Sequence, residues 1–121
     1  MHELAIAESV VQIASRHAAG RQVTKVYLKV GHLRQVVPSA LAFSFELVAQ
    51  GTPVEGAELE MEEIPVTGIC RECGAESQLA GFPLQCKTCG GFDLQILEGE
   101  ELYVDSLELE ERPTEDQELT G

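Results

Sequence analysis

The chain is poor in positive charge. Eight lysines and arginines stand against twenty-one aspartates and glutamates in 121 residues, a formal net charge of −13. Such a surface repels a phosphate backbone wherever its field is felt, so nucleic acid is excluded as a partner. No apolar run has the length that spans a bilayer, and no Lys/Arg-rich amphipathic face is available to lie on one. The first residues lack a positively charged segment followed by an apolar run and a small-residue cleavage site, so a cytoplasmic chain is expected. Also missing are GxSxG, a Walker A loop, HExxH and a glycine-rich dinucleotide loop. Acyl, phosphoryl and hydride transfer therefore lack their usual apparatus, and an enzyme is not expected.

What is present is concentrated. All four cysteines fall in two Cys-x-x-Cys pairs, Cys70/Cys73 and Cys86/Cys89, twelve residues apart, each followed by a glycine, Gly74 or Gly90. Each pair can present two sulfurs from one tight turn, and four thiolates close a tetrahedron with no open position. The spacing predicts a structural zinc ribbon ligated by Cys70, Cys73, Cys86 and Cys89. Other uses of the same spacing exist. Two disulfides suit a secreted chain. A thioredoxin-like motif needs one CxxC at a strand-to-helix junction. Iron with four sulfurs would make a small, coloured electron carrier.

Along the chain, Ile6, Ala7, Val10, Ile13, Ala14 and Ala18 form one face of a first helix. Val26, Leu28 and Val30 alternate with Lys25, Tyr27 and Lys29 in a strand ended by Gly31. Pro38 opens a second helix with a stripe of Leu41, Phe45 and Val48. Ala57, Leu59 and Met61 then point inward against Glu58, Glu60 and Glu62. In a last strand Leu102 and Val104 hold one phase and Leu107 and Leu109 the other, which predicts a bulge at Asp105-Ser106. The expected fold is α+β: two helices packed on a small three-stranded sheet, with an inserted zinc-ribbon module. Its expected division is an α/β domain of 1–65 and 98–110, a zinc-ribbon domain of 66–97 and a disordered acidic tail of 111–121. Ile69, Phe82, Leu84, Phe92 and Leu94 are expected to form a minicore in the ribbon. It is too small to hold without metal, whose binding supplies on the order of 10 kcal/mol in comparable units.

Of the three histidines, His17 lies at a helix C-terminus, where an imidazolium complements the dipole, and His32 reads as a solvated loop residue. His2 differs by position. An α-amine, the amide nitrogens after it and an imidazole at residue two can surround one ion in a plane, which Ni(II) or Cu(II) favours and Zn(II) does not. The bulk of His2 predicts that Met1 is retained to provide the amine, and Glu3 can stabilise the helix start or lie beside the metal. By itself Met1-His2-Glu3 is also an ordinary helix start, compatible with a zinc-ribbon protein–protein adaptor that has no nickel role.

The quoted segments extend over residues 1–110. Met1-His2-Glu3-Leu4, Val37-Pro38-Ser39-Ala40-Leu41 with Phe43 and Phe45-Glu46, and Gly51-Thr52 with Glu55-Gly56-Ala57 are followed by CxxC-(12)-CxxCG. Gly99-Glu100-Glu101-Leu102 and Ser106-Leu107-Glu108 complete the set. Together they resemble the HypA/HybF family of nickel metallochaperones for [NiFe] hydrogenase maturation. The resemblance implies Ni(II), transported, at the residues matching Met1, His2 and Glu3, and structural Zn(II) at the four cysteines. As partners it implies a HypB-type GTPase, the [NiFe] hydrogenase large-subunit precursor and, in some bacteria, urease accessory proteins. The chain departs from the pattern at Ala5, where the family often has serine, and at the turn Gly31-His32-Leu33-Arg34.

Overall fold

The computed structural model describes residues 2–79 and 81–111. Met1 and positions 112–121 of the expected tail lie outside the described residues. The first helix, α1, runs Glu3–His17, and strand β1 runs Val23–Gly31. A short 3-10 turn at His32–Arg34 leads to α2, Pro38–Ala49. Five strands follow: β2 Glu58–Ile64, β3 Val66–Cys70, β4 Glu76–Leu79, β5 Leu94–Glu98 and β6 Leu102–Leu109.

One sheet has the order β2-β1-β6. Strand β1 pairs parallel with β2, Leu28 opposite Met61, because the α2 crossover returns the chain in the same direction. It pairs antiparallel with β6, Val26 opposite Leu107 and Leu28 opposite Val104. The register skips Asp105, so the bulge expected there is present, and both Asp105 and Ser106 face solvent. A second slip occurs between Val23 and Lys25. Both helices lie on the apolar face of this sheet. Ala7, Val10, Val11 and Ala14 of α1 meet Leu41, Phe45 and Ala49 of α2 over Val26, Leu28 and Val30. On the opposite face Lys25 and Lys29 stand between rows of carboxylates, Lys29 reaching Glu62 at 3.1 Å.

The inserted module contains a second sheet, β4-β3-β5, all antiparallel. The expected α+β arrangement of two helices on a three-stranded sheet with an inserted four-cysteine module is therefore present, and the module has strands of its own. Its expected minicore is different. Phe82 and Phe92 are 64% and 66% exposed, and the buried positions are Val66, Cys70, Leu79 and Cys86. The reason is alternation: Val66, Gly68 and Cys70 share the inner face of β3, which turns Ile69 to the other side.

Sheet and module meet at a narrow neck. The Gly31 N–H donates to Glu101 C=O at 2.6 Å, Leu33 N–H to Gly99 C=O at 2.8 Å, and Arg34 Nε–H to Glu100 C=O at 2.7 Å. A Cβ on Gly31 would collide with the carbonyl of Gly99 and stand 2.5 Å from the Glu100 nitrogen. Two backbones pass too closely here for any side chain.

Candidate metal centres

Each cysteine pair is held by the same two backbone bonds. In the first turn Cys70 N–H donates to Ala75 C=O at 2.9 Å and Gly74 N–H to Cys70 C=O at 2.8 Å. In the second Cys86 N–H donates to Gly91 C=O at 2.8 Å and Gly90 N–H to Cys86 C=O at 3.0 Å. Gly74 and Gly90 have φ of 78° and 79°, the left-handed conformation that their places after CxxC require. Residues outside the motif clip the turns. Arg71 Nη1 reaches Asp93 Oδ1 at 2.9 Å, and Gln85 Nε2 donates to Gly90 C=O at 2.8 Å. Neither contact is signalled by the cysteine spacing.

The four sulfurs lie within 4.8 Å of one another, with Cys70–Cys89 and Cys73–Cys86 each 3.6 Å apart. These distances are far beyond an S–S bond, and all four cysteines are free. A tetrahedron with metal–sulfur bonds of 2.3 Å has edges of about 3.8 Å, so the cluster fits one four-coordinate ion. Cys70 and Cys86 are buried and Cys73 and Cys89 face solvent. The N–H groups of Cys89 and Thr88, 3.5 and 3.4 Å from its sulfur, draw the Cys86 thiol down to about 6. Cys89 receives the Gly91 N–H, yet its sulfur contact with Cys70, desolvation of the sulfur by its neighbours and the contacts with Cys73 and Cys86 push it up to about 12. Only thiolates ligate such an ion, so loading the four-sulfur cluster releases protons.

The other candidate centre is the head of α1. His2 is exposed at the helix N-cap. The intrahelical ladder begins with Ile6 N–H on His2 C=O at 3.2 Å, so the Glu3 amide belongs to the first turn, whose N–H groups have no acceptor within the helix. The Glu3 carboxylate is occupied: its Oε2 accepts the Val37 N–H at 3.0 Å. Val37 is the N-cap of α2 and has no capping side chain; Glu3 accepts the N–H of this N-cap residue from across the fold, the bond that an N3 glutamate makes in a capping box. The Val37 amide, with the Glu3 amide, holds this carboxyl below its ordinary value. Sequence gave no sign of this contact between residues 34 apart. His17 and His32 are placed elsewhere. His17 Nδ1–H donates to Ile13 C=O at 2.9 Å, and His32 Nε2 lies 3.5 Å from Glu63 Oε1.

The family model described as "Hydrogenase/urease nickel incorporation, metallochaperone, hypA" matches residues 1–109. The chain belongs to the HypA family. The hydrogenase maturation factor HypA of Geotalea uraniireducens is 46% identical over 110 residues, covering 91% of this chain and all of that protein. HypA of Nostoc punctiforme is 42% identical over 111 residues, covering 92% and 97%. The HypA fold is shared with the solution structure of the nickel metallochaperone HypA from Helicobacter pylori. There the TM-score is 0.63 at 21% identity, with 90% of this chain and 97% of that one covered. A second HypA solution structure gives a TM-score of 0.65 at 22% identity, covering 90% and 96%. The HypA family is thus one of nickel-incorporation metallochaperones serving hydrogenase maturation. Among the described residues no helix is long and apolar enough to cross a membrane.

Proposed function

We propose that this chain carries Ni(II) at Met1, His2 and Glu3 and delivers it for [NiFe] hydrogenase maturation, while Cys70, Cys73, Cys86 and Cys89 hold a structural Zn(II). The observation that carries the nickel assignment is the exposed His2 at the head of α1, in a chain of this family. With its carboxylate on Val37, Glu3 offers the metal its amide nitrogen, beside the His2 imidazole and the Met1 amine. Amide nitrogens must lose protons to bind, so affinity falls as the medium is acidified. A site at a chain end can be dismantled donor by donor without unfolding the domain, which suits a carrier.

In this reading residues 1–65 and 98–110 form the nickel-carrying domain and 66–97 the zinc ribbon. The protein acts in the cytoplasm and is no enzyme: its closed four-sulfur site has no position for substrate. The partners are a HypB-type GTPase and the hydrogenase large-subunit precursor, and urease accessory proteins where the host makes urease.

The deciding experiment titrates Ni(II) calorimetrically into tag-free, zinc-loaded protein, into a form with one residue added before Met1, and into His2→Ala. Stoichiometric binding in the first and its loss in the other two is expected. Equal binding in all three would overturn the assignment and leave a zinc-ribbon adaptor as the better description.

A further inference from the structure

An apolar trench runs the length of α1. On one wall Ala5, Ser9, Ile13 and His17 recur every fourth residue, one stripe of the helix. On the other stand Leu102, Val104 and Leu107 of β6. The space comprises two cavities of about 330 and 340 Å³ that share Ile13 and Val104. Its first half lies beside Ala5 and Ile6, one turn from His2. Strand β6 pairs with β1 on one side only, and among the described residues no strand covers its other edge.

We propose that this trench takes an extended segment of a partner protein, added as a fourth strand on β6, in which apolar residues alternate with lysine or arginine. Three features select that occupant. The open edge offers backbone N–H and C=O groups in the spacing that an incoming strand pairs with. A strand laid there turns every second side chain under the Ala5–Ser9–Ile13 flank, where only apolar groups are matched. The intervening side chains emerge on the helix-free face, beside exposed Asp105, on a chain of net charge −13. A second copy of this chain is a poor occupant, since pairing two copies of so acidic a chain along β6 would set like charges against each other. The bulge at Asp105-Ser106 interrupts the edge. It limits the added strand to a few residues alongside Leu102–Val104, where the trench meets the nickel-carrying end, and blunts indiscriminate edge pairing. The site needs no metal at that end.

The test uses the zinc-loaded, nickel-free full chain and fluorescein-labelled acetyl-Val-Lys-Val-Arg-Val-Lys-amide, read by anisotropy and by amide chemical shifts. Binding is expected to weaken at least about tenfold as salt rises from tens to hundreds of millimolar. Shift changes are expected at Leu102–Val104 and along Ala5–Ile13. Ser9→Trp, at an exposed position, fills the trench and should weaken binding at least about tenfold. Asp105→Lys should do so only at low salt, and it decides the matter if Ser9→Trp does not fold. No binding at millimolar peptide would overturn the proposal. So would shift changes confined to the outer face of α2, or equal binding of a peptide with glutamate in place of its lysines and arginine.

Discussion

The neck between sheet and module makes a demanding prediction for Gly31→Ala. The added methyl cannot fit: it meets the backbone of Gly99 and stands 2.5 Å from the Glu100 nitrogen, and no flexible side chain is there to yield. To make room, the 99–101 segment must move away from the end of β1. That movement gives up the bonds from Gly31 N–H to Glu101 at 2.6 Å, Leu33 N–H to Gly99 at 2.8 Å and Arg34 Nε–H to Glu100 at 2.7 Å. At about 1 kcal/mol each, less what water restores, the loss is about 2 to 3 kcal/mol. Overpacking a fitted site independently costs about 1 to 3 kcal/mol. A decrease of about 3 kcal/mol is expected in urea unfolding, corresponding to a fall of about 10 °C in Tm. Zinc stoichiometry should be unchanged, because the cysteine turns make none of these bonds. A loss below about 1 kcal/mol would refute the reasoning, showing that the neck widens freely and that its hydrogen bonds contribute little.

Further outcomes follow from single contacts. Phe45→Ala, which empties a core position only 2% exposed, should cost about 3 to 5 kcal/mol, whereas Phe43→Ala at 67% exposure should change stability by under about 0.5 kcal/mol; similar values in urea unfolding would contradict the packing. Chelating the metal should abolish amide-exchange protection in β3, β4 and β5 while Val26 and Leu28 stay protected, and uniform loss across both sheets would disprove separate support. Because Glu3 is depressed in the fold, its contact with Val37 stabilises above the unfolded value and is lost as pH falls through the folded one. The Val37 amide resonance should therefore titrate with a midpoint below the ordinary 4.5, and Glu3→Gln should abolish the transition; a midpoint at or above that value would exclude the bond.

Much of the frame was legible because its signals are periodic. Glu58, Glu60 and Glu62 against Leu59 and Met61 leave one register for β2, and the phase change across Asp105-Ser106 located the bulge in β6. The cysteine cluster was legible because CxxC followed by glycine is a local turn whose bonds close within six residues. What escaped was non-local or side-specific. Apolar content marked Phe82 and Phe92 for a minicore, but residues in loops have no alternation to fix a face, and both remain exposed. The second sheet was missed because β3, β4 and β5 are only four or five residues each, too short for a period to declare itself. At the head of α1 the proposed nickel ligands rest on position together with the family resemblance. The bond from Val37 to Glu3 could be read from neither, since it depends on where two helices are brought together by the sheet beneath them.

The placement of β6 sets an order of assembly. Tyr27 of β1 bonds Glu108 of β6, residues 81 apart, so the central strand waits for nearly the whole chain before its second neighbour arrives. Closing so long a loop is the slow step for such a topology. The cysteine module lies inside that loop and closes through bonds between near neighbours; once folded it sets Gly99 against Val66 and shortens the remaining search. During synthesis the first residues emerge long before the platform beneath them exists. The end proposed to carry nickel thus waits for the sheet beneath it, which ties its competence to completion of the entire fold.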